Sequence, residues 1–463
     1  MAQPATVPLI LALASSLLFA AGDDLPKGKI VDKVACLAEP GQSYALYLPS
    51  RYDAGRAWPV LFCFDPGARG RIPVELFQGA AEQYGYIVTG SNNSRNGAAG
   101  QGPESMSAMW SDAQARFAID RTRLYAVGMS GGARLVCGFA QKSGIFAGII
   151  AFAAGFPGAE APSRAPYLFF GAAGVDDFNY PEMRQLDSDL DKAGATKRII
   201  TFDGGHGWPP PAICSRAIEW MELQSMKMGK RPQDTQVIGD LFEKAAASIQ
   251  AAETSGNIGQ VYQLAKAAAE DFAGLKDISA IEDKASRLGT SKEVRRFLQD
   301  EKDQQVSQSQ HQSELFARWE NIGASEDFVT ASRSFSSMLH ELRRQSEAAS
   351  DSAQRRIARR VLNGCYVSAF EDSRNLLEQK NYTSSARALE MAVAIFPDRP
   401  QALFALSATY ARAGDRKKAV DALKRASEHG FRDAEAVEKD NAFVLIRNDP
   451  GMRKILEEIR KKR

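Results

Sequence analysis

Histidine is scarce in this chain: 463 residues contain four, His206, His311, His340 and His429. Imidazole chemistry therefore has few places to sit. Cysteine is nearly as rare, at Cys36, Cys63, Cys137, Cys214 and Cys365, and the odd number and wide spacing argue against a disulfide framework and a zinc site. Cys63 and Cys137 fall in apolar runs and read as core, while Cys36 and Cys214 could pair if the protein is exported. An excess of one charge is lacking too. Lys plus Arg number 58 and Asp plus Glu 56, a net charge of +2, which offers no field for a polyanion and makes nucleic acid an unexpected partner. No metal-ligand spacing and no nucleotide-binding loop is legible, so no cofactor is implied.

One long apolar run stands out, Val7–Gly22. It is short for a spanning helix and ends in Ala20-Ala21-Gly22 before Asp23-Asp24, as a signal-peptide cleavage site does. The absence of Lys or Arg ahead of it is what a membrane-anchor reading would use. No cysteine follows closely enough for a lipid anchor. Residues 1–22 are read as a signal peptide and the protein as exported, periplasmic or secreted.

A hydrophobic fraction of 44% with 25% charged residues describes a globular protein, and the length calls for two or three domains. From Ser43 to Met228 short apolar runs alternate with helical patterns. Strands are predicted at Ser43–Leu48, Pro59–Phe64, Tyr86–Thr89, Arg123–Val127, Gly148–Phe152, Tyr167–Phe170 and Arg198–Phe202, and helices at Val74–Tyr84 and Asp112–Ala118. Several strands are apolar throughout, as strands buried on both faces must be. The alternation implies a mostly parallel, doubly wound α/β sheet over residues 23–230.

After Gln233 the pattern is helical. Residues 231–365 form a helical region with a candidate degenerate repeat at Gly256-Asn257-Ile258, Val261, Ala265 and Ala268. Glu301–Glu314 (EKDQQVSQSQHQSE) has almost no apolar residue and reads as a solvated helix face or a linker. Over residues 366–463 a period of about 34 residues is visible. Leu403, Leu406, Tyr410, Gly414, Ala419, Leu423 and Ala426 form one copy, and Tyr382, Leu389, Ala392 and Pro397 belong to the copy before it. These residues resemble the tetratricopeptide family, which implies a face that takes a protein or peptide partner.

The stretch with chemical content is "LYAVGMSGGARL", Leu124–Leu135, an apolar run meeting Gly128-Met129-Ser130-Gly131-Gly132. Gly-x-Ser-x-Gly alone is weak, because loops use both residues. A serine becomes a nucleophile when a base takes its proton, and His206 is the one histidine in the strand-containing half, on the loop Phe202-Asp203-Gly204-Gly205-His206-Gly207-Trp208-Pro209 after a late strand. A carboxylate should orient it. Asp176 and Asp177, after the strand ending at Phe170, both fit; Asp177 is preferred, and the other member of such a pair commonly serves a turn. The order Ser130, Asp177, His206 is that of α/β-hydrolases, whose serine stands on a strand-to-helix elbow where Gly128 and Gly132 avoid collision.

Two backbone donors must stabilise the developing oxyanion. Gly131 is one expectation and Ala68, on Phe64-Asp65-Pro66-Gly67-Ala68-Arg69-Gly70, the other. Arg69, Arg71 and Arg95 could line one rim, and Trp208 or Trp110 could form a substrate platform, although structural roles suit these residues equally. Ile119–Gly132 ("IDRTRLYAVGMSGG") and "FDGGHGWPP" resemble the polyhydroxybutyrate-depolymerase and feruloyl-esterase branch of the α/β-hydrolases. That resemblance covers the first half of the chain and implies ester hydrolysis through an acyl-enzyme, with no cofactor. The expected architecture is thus an α/β hydrolase with an all-α repeat domain behind it. No insertion for a lid is visible, so an open cleft is expected. A serine peptidase of the same fold, or a repeat-based binding protein on an inactive scaffold, are the competing readings.

Overall fold

The computed structural model describes residues 25–97, 100–159 and 161–461; the leader expected at residues 1–22 lies outside them. Strands β1 (Ile30–Ala35), β2 (Ser43–Tyr47), β3 (Trp58–Phe64), β4 (Ile87–Ser91), β5 (Ile119–Met129), β6 (Gly148–Phe152), β7 (Leu168–Gly174) and β8 (Lys197–Phe202) make one sheet in the order β1-β2-β4-β3-β5-β6-β7-β8. β2 runs antiparallel to β1 and β4, and β3 to β8 pair in parallel. β1 has no counterpart in the sequence reading. It is an edge strand with Asp32 and Lys33 exposed, so it carries no continuous apolar run.

Helices α1 (Arg71–Tyr84), α2 (Gly102–Arg116), α3 (Gly131–Ser143), α4 (Tyr180–Lys192) and α5 (Pro211–Lys227) cover the sheet, α1 and α5 on one face and α2, α3 and α4 on the other. β3 shows why both are needed: Leu61 and Cys63 pack towards α1 and α5, while Val60, Phe62 and Phe64 pack towards the opposite helices. α2 begins at Gly102, well before the expected Asp112, because Pro103 occupies a first-turn position that needs no amide donor. All five cysteines are buried free thiols. Cys36 and Cys214 lie in core clusters on opposite faces of the sheet, which rules out the bridge considered between them.

Eleven further helices follow: α6 (Thr235–Thr254), α7 (Ile258–Phe272), α8 (Ser279–Gly289), α9 (Lys292–Ala324), α10 (Phe328–Ser346), α11 (Ala353–Glu378), α12 (Tyr382–Ile395), α13 (Pro400–Arg412), α14 (Arg416–Glu428), α15 (Ala434–Lys439) and α16 (Pro450–Lys461). The polar stretch Glu301–Glu314 is the middle of α9, a helix of 33 residues, and not a linker. The 34-residue period appears as repeated hydrogen bonding. The turn residue in left-handed conformation is Lys380 in one hairpin and Gly414 in the next, followed by the helix caps Asn381 and Asp415. The buried close approach recurs as well: Ser385 Oγ donates to the Ser373 carbonyl (2.8 Å), and Ser407 Oγ donates to the Ala419 carbonyl (2.7 Å). A lysine in the position that favours glycine explains why the first copy is faint in sequence.

Candidate active site

β5 ends at Met129 and α3 starts at Gly131, leaving Ser130 on the turn with φ 54° and ψ −119°. A positive φ on a non-glycine residue costs about 1–3 kcal/mol and persists where the surroundings hold it. The holding contacts are Ser130 N–H to the Phe152 carbonyl of β6 (2.8 Å) and Arg134 N–H to the Ser130 carbonyl (3.1 Å). The neighbouring glycines are required by space. A Cβ on Gly128 would lie 2.1 Å from the Gly132 carbonyl, and one on Gly132 would lie 2.0 Å from the Phe64 carbonyl of β3. A Cβ on Gly131 would meet the Asn96 carboxamide at 1.8 Å.

His206 reaches the serine from the far side of the sheet end. Its Nε2 lies 2.9 Å from Ser130 Oγ, and its Nδ1 lies 2.9 Å from Asp177 Oδ1. An ionised carboxylate only accepts, so Nδ1 donates to Asp177 and Nε2 is left to accept the serine proton. The ring stacks on Phe178 with centroids 4.1 Å apart. Asp177 is fully buried and its Oδ1 also accepts from the Asn179 amide (2.8 Å). The acid and histidine loops press together: Asp176 N–H donates to the Gly204 carbonyl at 2.9 Å, and Gly174 has room for no side chain beside Gly204.

The two aspartates separate by direction. Asp177 faces His206, while Asp176 Oδ2 accepts from Arg359 of α11 at 2.7 Å. Asp176→Asn is therefore expected to lower stability by about 0.5–1 kcal/mol, as loss of a partly exposed ion pair does, while turnover stays within a few-fold of wild type. A collapse of turnover in Asp176→Asn would reverse the assignment of the two.

Gly131 stands at the first position of α3, where helix amides have no intrahelical acceptor and the helix dipole is positive. Ala68 does not match its expected role. Its N–H donates to the Asp65 carbonyl (3.2 Å) in a turn with φ 58°, and the Gly67 N–H is likewise taken by Asp65 Oδ1 (2.8 Å). Asp65 is the cause. Burial alone would raise its carboxyl, but hydrogen bonds from Arg69, Trp208 and Gly67 hold it below the ordinary carboxylate range. Arg69 Nε (2.8 Å) and Trp208 Nε1 (2.8 Å) are committed to that carboxylate, and the Trp208 ring packs edge-on against Phe152. Neither is a free rim residue. Arg71 pairs with Asp32 and Glu75 on the surface, and Trp110 packs edge-on against core Phe62. Arg95 does border the site, in a groove shared with Asn96, Gly131 and Arg134.

The cleft at Ser130 is half open and walled by two parts of the chain. A cavity of about 560 Å³ is lined on one side by Asn96, Ser130, Gly131, Arg134, Phe178 and Asn179. The other side is Gln312 of α9 with Gly364, Val367, Ser368, Glu371, Arg374 and Asn375 of α11. The helical half thus supplies the wall that an inserted lid would supply, and Arg134 and this face of α11 are site residues that the sequence reading did not single out. What brings α9 down is its polar stretch. Glu301 accepts from the Tyr180 hydroxyl (2.8 Å) and from Arg184 Nη2 (3.0 Å), and Gln308 Nε2 donates to the Phe178 carbonyl (2.8 Å). Gly364 lets α11 approach, since a Cβ there would lie 2.4 Å from Gln312 Nε2.

Residues 376–438 match the tetratricopeptide repeat family. Solved structures similar to the chain include a fluorophosphonate-binding serine hydrolase of Staphylococcus aureus, FphF, at 14% identity and a TM-score of 0.33, covering 39% of this chain and 92% of that one. A ferulic acid esterase matches at 16% identity and a TM-score of 0.33, covering 42% and 96%. Porphyromonas gingivalis dipeptidyl peptidase 4 matches at 14% identity and a TM-score of 0.34, covering 42% of this chain and 35% of that one. No curated protein matches the chain. By its strand order and its repeat match, the chain is an α/β-hydrolase-fold domain followed by a helical region that contains tetratricopeptide repeats.

Proposed function

We propose that the chain is a serine hydrolase that cleaves carboxylic esters through an acyl-enzyme at Ser130. The observation that carries this reading is the pair of 2.9 Å contacts linking Ser130 Oγ, His206 and Asp177. His206 Nε2 takes the hydroxyl proton as Oγ adds to the ester carbonyl, and returns it to the departing alcohol as the carbonyl reforms on the enzyme. Water then repeats the sequence to release the acid and free Ser130. The Gly131 N–H, at the positive end of α3, is the backbone donor for the developing oxyanion. A scaffold without activity has no physical use for a strained Ser130 aligned with His206.

The wall of Gln312, Ser368, Glu371, Arg374 and Asn375 supports a polar substrate of limited length over a long acyl chain. The same enclosure favours a second reading, a serine peptidase, because the helical half stands over the cleft as a gate does. A panel of p-nitrophenyl esters of increasing acyl length, set beside aminoacyl p-nitroanilides, separates the two. Ester turnover is expected to fall by about tenfold or more between acetyl and decanoyl, because the polar wall of α11 obstructs a long chain and would be desolvated by it; faster anilide than ester turnover would favour the peptidase. The tetratricopeptide segment supports a protein or peptide partner, and the apolar run Val7–Gly22 supports export, which amino-terminal sequencing of the mature chain tests.

A further inference from the structure

The short segment carrying Asp177 is gripped by the helical half at successive points. Arg360 of α11 donates from Nε to the Val175 carbonyl (2.6 Å), Arg359 to the Asp176 carboxylate, Gln308 to the Phe178 carbonyl, and Glu301 accepts from Tyr180. Arg360 differs from the others in its surroundings. It is 1% exposed, its guanidinium stacks on the Tyr180 ring at 3.9 Å, and its Nη1 is buried with no hydrogen-bond partner among the described residues. Asp177 has the complementary deficit: Oδ1 serves His206 and Asn179, while Oδ2 is buried with no donor among the described residues. A buried cation and a buried carboxylate oxygen are each costly without a partner. Arg360 grips the loop at Val175, two residues before Asp177, and Asp176 and Asp177 both act electrostatically on its guanidinium.

We propose that Arg360 is a positioning residue for the reaction at Ser130: a buried cation delivered by the repeat-bearing half that backs the loop holding Asp177 against His206. This rests on the serine-hydrolase reading above. Other charges face the loop. From α11 come Arg356 and Arg359, from α9 Glu301, from α4 Arg184 and the Tyr180 hydroxyl, and Asp203 lies before the histidine. Arg356 pairs with Asp351, Arg359 with Asp176 and Arg184 with Glu301, so these largely cancel. Burial, with Glu301 beside it, pushes Tyr180 up to about 12, so it stays neutral. Arg360 makes no ion pair among the described residues. Arg399, beside Asp176 and Gly205, and Arg374, in the cavity at Ser130, make none there either but are exposed to solvent screening, so Arg360 is the buried cation at the loop.

The sign follows from that charge. A cation behind Asp177 opposes a second positive charge on the imidazole, so its removal should favour the charged ring and move the acid limb of the reaction to higher pH. The test is the rate of fluorophosphonate labelling against pH for the full chain and for Arg360→Gln, Arg360→Met and Arg360→Lys, with thermal melts as the control for folding. In the two neutral variants the acid limb is expected to move up by about one pH unit, the size of effect a nearby unit charge produces in a partly buried site. Arg360→Lys keeps the charge, and its limb should stay with wild type even if the plateau drops. Arg360→Met keeps the stem against Tyr180, so it carries the prediction if the glutamine variant does not fold. Folded neutral variants with an unmoved limb, or a limb that moves equally in Arg360→Lys, would overturn the proposal and leave Arg360 a packing residue. A folded wild type that takes no label would instead sink the serine-hydrolase reading itself.

Discussion

Ser130→Ala will take no fluorophosphonate label and will hydrolyse esters at least about 10⁴-fold more slowly than wild type, the scale of loss when a nucleophile supported by an aligned base is removed. Three geometric facts set that scale. Oγ and Nε2 are already 2.9 Å apart, so no rearrangement precedes proton transfer. The imidazole is fixed by Asp177 on one edge and by the Phe178 ring on its face. The Gly131 amide sits beside the serine at the start of α3. His206→Ala and Asp177→Asn should each cost about 10³–10⁴-fold, and joining either to Ser130→Ala should cost little more, because members of such a unit are not additive. Folding should be untouched, since removing Oγ leaves the φ of 54° and its backbone hydrogen bonds in place. Persistent labelling in Ser130→Ala would place the nucleophile elsewhere.

The second large effect is on stability, and its sign opposes intrinsic preference. Gly132 lies in the first turn of α3, where alanine should help by roughly 1 kcal/mol on helix propensity alone. Its Cβ, however, would sit 2.0 Å from the Phe64 carbonyl, and that oxygen belongs to the central strand of the sheet. Neither partner can give way without parting α3 from β3. Gly132→Ala is therefore expected to destabilise by about 4 kcal/mol or more, in the range reserved for severe core overlap. Gly239, inside α6, is the matched control: the nearest atom to a Cβ there is Lys276 Nζ at 3.8 Å, and Gly239→Ala should stabilise by about 0.5–1 kcal/mol. Urea midpoints for the two variants decide the matter, and a Gly132→Ala midpoint near wild type would mean that the elbow is far looser than drawn.

The legible parts of this protein share a physical reason. Strands buried on both faces must be largely apolar, so β3, β6 and β7 announce themselves, whereas the edge strand β1 does not, and β8, the other edge, shows only through Ile199 and Ile200. Ser130, His206 and the Asp176–Asp177 pair were findable because each follows an apolar run, and the ends of parallel strands are where loops of such folds converge. The sequence barely separates the two aspartates while preferring Asp177; what sets Asp176 apart is Arg359, more than 180 residues away. Ala68 failed for a similar reason. Whether an amide is free depends on where the Asp65 side chain turns, and Arg69 and Trp208 turn it inward. The wall that α9 and α11 add to the cleft is the least legible part. Glu301, Gln308 and Gln312 look like solvated residues in a polar run, and nothing local says that the surface they meet is another part of the same chain.

Chains are made from the amino terminus, and early domains commonly fold before later ones emerge from the ribosome. Here the sheet can close as soon as β8 has emerged, yet the carbonyls of Val175 and Phe178 still await α9 and α11. Until Arg360 has been translated and has threaded home against Tyr180, the acid loop is missing its outer support. A nascent or prematurely terminated chain would thus carry Ser130 and His206 on a finished sheet while its aspartate loop stayed slack. The joint at α11 thus ties the order of the loop bearing Asp177 to synthesis of a segment more than 180 residues downstream.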